Sequence, residues 1–271
     1  MDLPKSHNKC VESNNDNKIV VQCEEELLTI IKRRCEPYAL KLNDFVLDVS
    51  DLDVSNIVDL SRAFGDCVDV VKIKGLNQWD TSSVRSMRGM FWNCESLRSL
   101  DLSGFNTSNV VDMSCMFFRC ESLESLNLSG FDTSNVINMR SMFCLCRSLQ
   151  SLDLSGFDTS NVENMLRMFC LCRSLCSLNV NSFDTSKVIN MNAMFADCVA
   201  LQSLDLSNFS TQSAQDVSFM FNYCESLESL DLIGFDVSHV NKHNDMFKGC
   251  YALSNVICEA GIDINNLWMM M

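Results

Sequence analysis

Apolar residues along this chain follow two periods that alternate at a fixed interval. In residues 149–157, Leu149, Leu152, Leu154 and Phe157 are apolar, with Ser151, Asp153 and Ser155 between them. Leu152 and Leu154 alternate with polar neighbours, the pattern of a strand buried on one face. Residues 160–172 then place Val162, Met165, Phe169 and Cys172 at steps of three, four and three, which predicts one face of a short helix. Asp158-Thr159-Ser160 lies between the two halves, and short oxygen-bearing side chains there suit an N-cap that accepts from the free amides of a first helical turn. The unit reads as strand, turn, short helix and return.

The unit recurs. Met-Phe pairs fall at 90–91, 116–117, 142–143, 168–169, 194–195, 220–221 and 246–247, always 26 residues apart, and cysteines at 94, 120, 146, 172, 198, 224 and 250 keep step. A worn copy, Ala63-Phe64 with Cys67, precedes the next by 27, with one residue inserted between Cys67 and Trp79. One such unit cannot bury its own apolar face, so the repeat predicts stacking. The expected fold class is α/β: a solenoid of about eight 26-residue turns over 45–250, with a parallel sheet on one face and short helices on the other. Its core is made of columns of like residues, and the in-register cysteine reads as a small hydrophobe in a narrow place. Residues 1–44 are expected to be a polar segment followed by a capping helix, EEELLTIIKRR at 24–34, with charges arranged to suit a helix dipole and Pro37 discouraging continuation. Residues 1–17 are polar and expected to be loose, and residues 251–271 are a C-terminal cap or tail, with Leu267, Trp268 and three methionines folding back over the last turn.

The repeated SLxSLDLSGFDTSNVxNMxxMFxxC resembles the BspA-like family of leucine-rich repeats, found in bacterial and protist surface proteins. The resemblance covers residues 47–250. It implies a curved solenoid used for protein binding or adhesion, and it makes cell-surface display the alternative to a cytoplasmic setting. Residues 210–214 and the stretch holding Val237, His239 and His243 depart from the pattern.

Charge and composition narrow the function. A net charge of −14 argues against nucleic acid, which needs a basic surface, and against docking on anionic membrane. No run is long enough to span a bilayer, and the N-terminus lacks the apolar core of a signal peptide, so the expected setting is cytoplasmic and the 16 cysteines are expected to be reduced. With three histidines, His7 among them, and no nucleophile elbow, phosphate loop or metal-protease motif, the chain reads as a non-enzyme without cofactor or metal. The expected function is a monomeric scaffold that binds a protein through one solenoid face.

Two faces are candidates. On the strand side, Ser99, Ser125, Ser151, Ser177 and Ser203 form one outward column and Asp101, Asn127, Asp153, Asn179 and Asp205 another. Carboxylates stacked at about 4.8 Å repel, and alternating Asp with Asn relieves this. That column is either a solvated polar sheet or a hydrogen-bonding face for a partner. On the other side, Trp92, Phe118, Leu145, Leu166 and Leu171 make the middle turns apolar where the outer turns are polar; they are either secondary core or an interaction patch. A rival reading has the Ser/Asp sheet, or the column Thr81, Thr107, Thr133, Thr159 and Thr185, meeting a repetitive target such as glycan, mineral or a second copy. Cys115, Cys144, Cys170 and Cys176 lie out of register and raise the possibility of redox sensitivity.

Overall fold

A computed structural model of the chain describes residues 18–35 and 44–257. The expectations for residues 1–17, for Pro37 and for the tail containing Leu267 and Trp268 lie outside them. The described chain is a coil of parallel strands. β2 (Phe45–Asp48) pairs with β4 (Val70–Lys74), and the strands β5 (Ser99–Asp101), β6 (Ser125–Asn127), β7 (Ser151–Asp153), β8 (Ser177–Asn179), β9 (Ser203–Asp205), β10 (Ser229–Asp231) and β11 (Asn255–Ile257) recur once per coil. β11 pairs with β10, so the strand ladder continues past residue 250.

The expected short helices are not there. Among the described residues the one α-helix is α1 (Glu24–Cys35), which precedes the coils, with a single 3-10 turn at Leu76–Gln78. Residues 165–172 form a ribbon of successive turns, and every N–H in it can be accounted for. Met165, Arg167, Phe169 and Leu171 donate to the carbonyls of Asn190, Asn192, Met194 and Ala196 in the next coil, at 2.8–3.0 Å. Met168, Cys170 and Cys172 close turns onto the carbonyls three residues back. Leu166 donates to the Asn164 side chain at 3.0 Å. A helix would satisfy these groups internally; the stack satisfies half of them between coils instead. The price is a left-handed backbone at two positions per coil, for example Arg167 (φ 56) and Leu171 (φ 63), a conformation costing roughly 1–2 kcal/mol for a residue with a Cβ. The steps of three, four and three select the buried side chains correctly, since Val162, Met165, Phe169 and Cys172 are all fully buried. Two consecutive turns bring side chains inward at nearly the spacing of a helix.

Asp158 is accordingly not a helix cap. Its carboxylate accepts the Ser160 N–H at 2.9 Å and makes a corner. Asp153 does the same for Ser155 and Asn164 for Leu166, at 3.0 Å each. Three such corners per coil bend an extended chain into a closed circuit.

The core columns are tight. The phenylalanines of the Met-Phe pairs, with Phe64, stack from coil to coil with centroids 5.2–5.7 Å apart. Each in-register thiol from Cys94 to Cys250 donates to the carbonyl of the stacked phenylalanine one coil earlier, at 3.0–3.2 Å. The cysteine column therefore does more than fill space: it also supplies a donor where Ala would leave a lone pair of a buried carbonyl empty. Strand pairing is less even. β5 joins β6, β7 joins β8, and β9, β10 and β11 join, while β6–β7 and β8–β9 are not laddered. Phe131–Phe157 and Phe183–Phe209 stack at 6.3 and 6.2 Å across those two gaps.

The inserted residue of the early coil lies between Ile73 and Leu76. Gly75 absorbs it with φ 94, and a Cβ there would come within 2.4 Å of the Ser50 backbone. Ahead of the first coil, β1 (Ile19–Val20) pairs with β3 (Leu52–Asp53), and α1 buries Leu27 and Ile31 in the common core. Glu24–Glu26 at its start and Lys32–Arg34 at its end match the dipole. Arg34 holds Asp51 through two bonds of 2.7 Å and reaches the Asp48 carbonyl.

The threonine column is buried to within 1% exposure. Thr107 Oγ1 donates to the Asp132 carbonyl and accepts the Asp132 N–H, both at 2.8 Å; Thr81, Thr185 and Thr211 repeat the pair. This column is a bolt between coils, not a surface for a target, and that part of the rival reading is corrected. Thr107→Val keeps the shape and leaves a buried donor and acceptor empty, so it is expected to lower stability by about 1–3 kcal/mol in denaturant titration. Arg167→Gly is expected to be neutral or stabilising by up to ~1 kcal/mol, and Arg167→Val destabilising, because only glycine takes the left-handed conformation without cost.

Candidate functional site

The two faces proposed from the sequence are built differently. On the strand face, Ser125, Ser151, Ser177 and Ser203, with Asp101, Asn127, Asp153 and Asp205, are exposed, while Ser99 and Asn179 are half-buried. The carboxylates are already engaged. Asp101 accepts the Ser103 N–H at 3.1 Å and the Asn127 side-chain amide at 3.0 Å, so the alternation of Asp and Asn makes a direct bond between coils. Asp205 accepts from Ser207 at 3.0 Å. A hollow of 430 Å³ lies over Ser99, Asp101, Ser125 and Asn127. A ligand on this face competes with hydrogen bonds that shape the corners.

The turn-ribbon face carries a groove of 880 Å³ across six successive coils. Trp92, Phe118, Leu145 and Leu171 come together in it, all half-buried. Leu166 is also half-buried but does not line it. The floor is a second apolar cluster, separate from the main core, made of Cys144, Cys170, Ala193 and Ala196 with Phe118, Leu145 and Leu171 packed on it. The left-handed positions put these side chains here: each αL residue reverses the ribbon, so the residues at and just before it face outward while the Met-Phe pair faces inward.

The sequence reading missed the polar edge of this groove. Arg140 and Arg167 line it, and the Arg62 guanidinium lies 4.5 Å over the Trp92 ring. Among the described residues, Arg62, Arg88, Arg140 and Arg167 form no ion pair. Other arginines do: Arg119 bridges Glu95 and Glu121 at 3.1 and 3.3 Å, and Arg147 joins Glu121 at 3.3 Å. Arg33, Arg85 and Arg98 likewise form no ion pair among the described residues, so what marks the groove is that Arg140 and Arg167 line it beside apolar side chains. Arg62 and Arg167 occupy left-handed positions and Arg88 and Arg140 precede one, in columns that also hold Gly, Ser, Ala and Phe. That irregularity against a regular repeat was the one available signal.

Of the out-of-register cysteines, Cys144 and Cys170 are buried together in the groove floor. The Cys144 S–H bond, aided by Arg167, holds the Cys170 thiol below its ordinary value. Burial raises Cys115, opposed by Arg140, Arg88 and Arg62. Cys146 and Cys172 face the other way, donating to Phe117 and Phe143 carbonyls in the core. Cys176 is exposed and bonds the Gln150 carbonyl at 3.3 Å. His239 bonds the Thr211 carbonyl at 2.8 Å.

Comparison with known proteins adds a family. The family described as "Mycoplasma protein of unknown function, DUF285" matches residues 58–174 and 145–259, the same coils that carry the repeat. No curated protein matches the chain. Among solved structures, a leucine-rich-repeat protein of T. pallidum is 20% identical over 85% of this chain and 84% of its own, with a TM-score of 0.41. A leucine-rich cell surface protein of Faecalibacterium prausnitzii is 13% identical over 98% and 97%, with a TM-score of 0.25. A leucine-rich-repeat protein of Bacteroides ovatus is 16% identical over 78% of each chain, with a TM-score of 0.25. No helix among the described residues is long and apolar enough to cross a membrane.

The corner aspartates make acid stability testable. Hydroxyl and amide bonds from Ser134 and Ser160 hold the Asp132 and Asp158 carboxyls below the usual range. Folded values below unfolded ones mean stabilisation that is complete above the ordinary carboxylate range and lost as pH falls through the depressed values. Denaturation midpoints are expected to be flat above about pH 5 and to fall below about pH 4. Asp132→Asn with Asp158→Asn keeps the acceptor oxygens and cannot titrate, so it is expected to lessen that fall, the other corner aspartates such as Asp101 and Asp205 supplying the rest.

Proposed function

The chain belongs to the DUF285 family, whose description assigns no function, and on that premise we propose that it is a non-catalytic scaffold that binds a protein partner through the turn-ribbon groove. The observation that carries this reading is the apolar cluster of Phe118, Leu145 and Leu171 over Cys144 and Cys170, outside the main core and edged by arginines without acidic partners. Half-buried aromatic and aliphatic side chains in a concave site are the usual anchors of protein interfaces. The fitting partner segment is apolar with acidic flanks, since a basic one would meet Arg62, Arg140 and Arg167. The strand face is the second site, with Ser151, Asp153, Ser203 and Asp205 as hydrogen-bonding contacts. The setting this reading retains is cytoplasmic, with surface display as the alternative; protease treatment of intact cells distinguishes them.

The test uses the full chain as bait with defined variants. Leu171→Asp and Arg140→Glu are each expected to weaken partner binding tenfold or more, equivalent to about 1.4 kcal/mol, while Asp205→Ala leaves it within twofold. Loss on the strand face with retention at the groove moves the site to the strands. Failure of wild type to retain any partner at micromolar concentration removes the scaffold reading.

A further inference from the structure

The cysteine ladder has a first rung. From Cys94 onward each in-register thiol donates to a phenylalanine carbonyl of the preceding coil. Cys67 lies in the first coil and has no such coil before it. Its sulfur instead faces Cys35, the last residue of α1, at 3.0 Å. Cys35 falls outside the repeat and is half-buried, whereas Cys67 is 5% exposed. Both line a hollow of 430 Å³ between α1 and the first coil, with Leu28, Lys32 and Arg62 around them. The hollow has room for a small reagent, and its lining of Lys32 and Arg62 against the single carboxylate of Asp66 is net positive, which favours an anionic one.

We propose that Cys35 and Cys67 form a disulfide that staples the capping helix to the first coil, made by exchange with a small anionic disulfide of the oxidised-glutathione class. The sulfurs stand ~1 Å beyond bonding distance and already face each other. Cys35 is the attacking group, being the accessible one; the bond it receives from Cys67 holds its thiol below the ordinary value, while that bond and burial push Cys67 up. The Cys35 thiolate attacks one sulfur of the reagent and releases the other half as a thiolate. Cys67 then gives up its proton, attacks the Cys35 sulfur and expels the second thiolate. In balance, two protein thiols lose two protons and two electrons, and the reagent disulfide becomes two thiols. The closed bond spans the chain from 35 to 67, so it restricts the unfolded state and fixes the lid that covers the apolar end of the stack.

The experiment treats the native full chain with excess oxidised or reduced glutathione, blocks free thiols in acid, and reads intact mass, peptide maps and the thermal midpoint. Expected are the loss of two free thiols, a linked peptide pair containing Cys35 and Cys67, and a midpoint raised above that of the reduced protein and returned by reductant. Cys35→Ser is expected to show neither the bridge nor the shift. Cys67→Ala, a second variant that keeps the reactive thiol, is expected to stop at a glutathione adduct on Cys35. Full alkylation of both thiols, a stable adduct on Cys35 in wild type, or a bridge only between Cys144 and Cys170 overturns the proposal.

Discussion

Every coil depends on a backbone bond to the next. In the ribbon of residues 165–172, alternate N–H groups leave their own coil for carbonyls 25 residues on. Those carbonyls must arrive in register, so an extra residue has to be taken up outside the ribbon, as in the 27-residue coil, where Arg62, Phe64 and Asp66 still donate to Arg88, Met90 and Trp92. The constant 26-residue spacing meets that requirement, and the one exception needed Gly75, whose φ of 94 is open to few other residues. The threonine bolts and the thiol-to-carbonyl bonds belong to the same scheme. The threonines satisfy, from the neighbouring coil, amides and carbonyls that a single coil buries, and the thiols add a second bond to phenylalanine carbonyls already paired within their own coil.

The same constraint explains the surface. Positions that bond or pack between coils are held to one residue type: Met, Phe, Cys and Thr recur with few exceptions. Positions at the left-handed reversals lie outside the main core and escape the rule, whether exposed or, like Ser141 and Ala193, buried beneath the groove. There the column passes through Arg62, Gly89, Cys115, Ser141, Arg167, Ala193 and Phe219. Specific recognition needs variety, and the ribbon face supplies it. The column before each strand varies as well, through Arg98, Glu124, Gln150, Cys176, Gln202 and Glu228. The strand face repeats Ser and Asp because those side chains shape its corners.

The beginning of the stack is treated as carefully as its length. An uncovered apolar coil would offer unpaired edges to other chains. β1 and α1 cover it, Leu27 and Ile31 seal it, and Arg34 locks on Asp51. A cysteine pair at that joint places covalent chemistry where the array has the fewest neighbours to hold it.

Much of this was readable from residue order. The period, the parallel strands at 99–101 and its counterparts, and the buried columns follow from spacing and polarity, because stacking makes each coil an image of the last; a helix is expected at 24–34, and α1 spans Glu24–Cys35. The helix over 160–172 did not survive, although its buried positions did. Apolar periodicity reports which side chains face inward and is silent on where the amide hydrogens go. Only the packed stack decides that, since the carbonyls accepting from Met165, Arg167, Phe169 and Leu171 belong to a different coil. The groove was half visible: Trp92, Phe118, Leu145 and Leu171 stood out as apolar. Arg62, Arg140 and Arg167 did not, since their meeting at one edge depends on how the left-handed residues turn the ribbon. Cys35 and Cys67, 32 residues apart, offer no pattern at all until the cap is docked, because contact between a helix and the coil beneath it is set by tertiary packing and not by any local period.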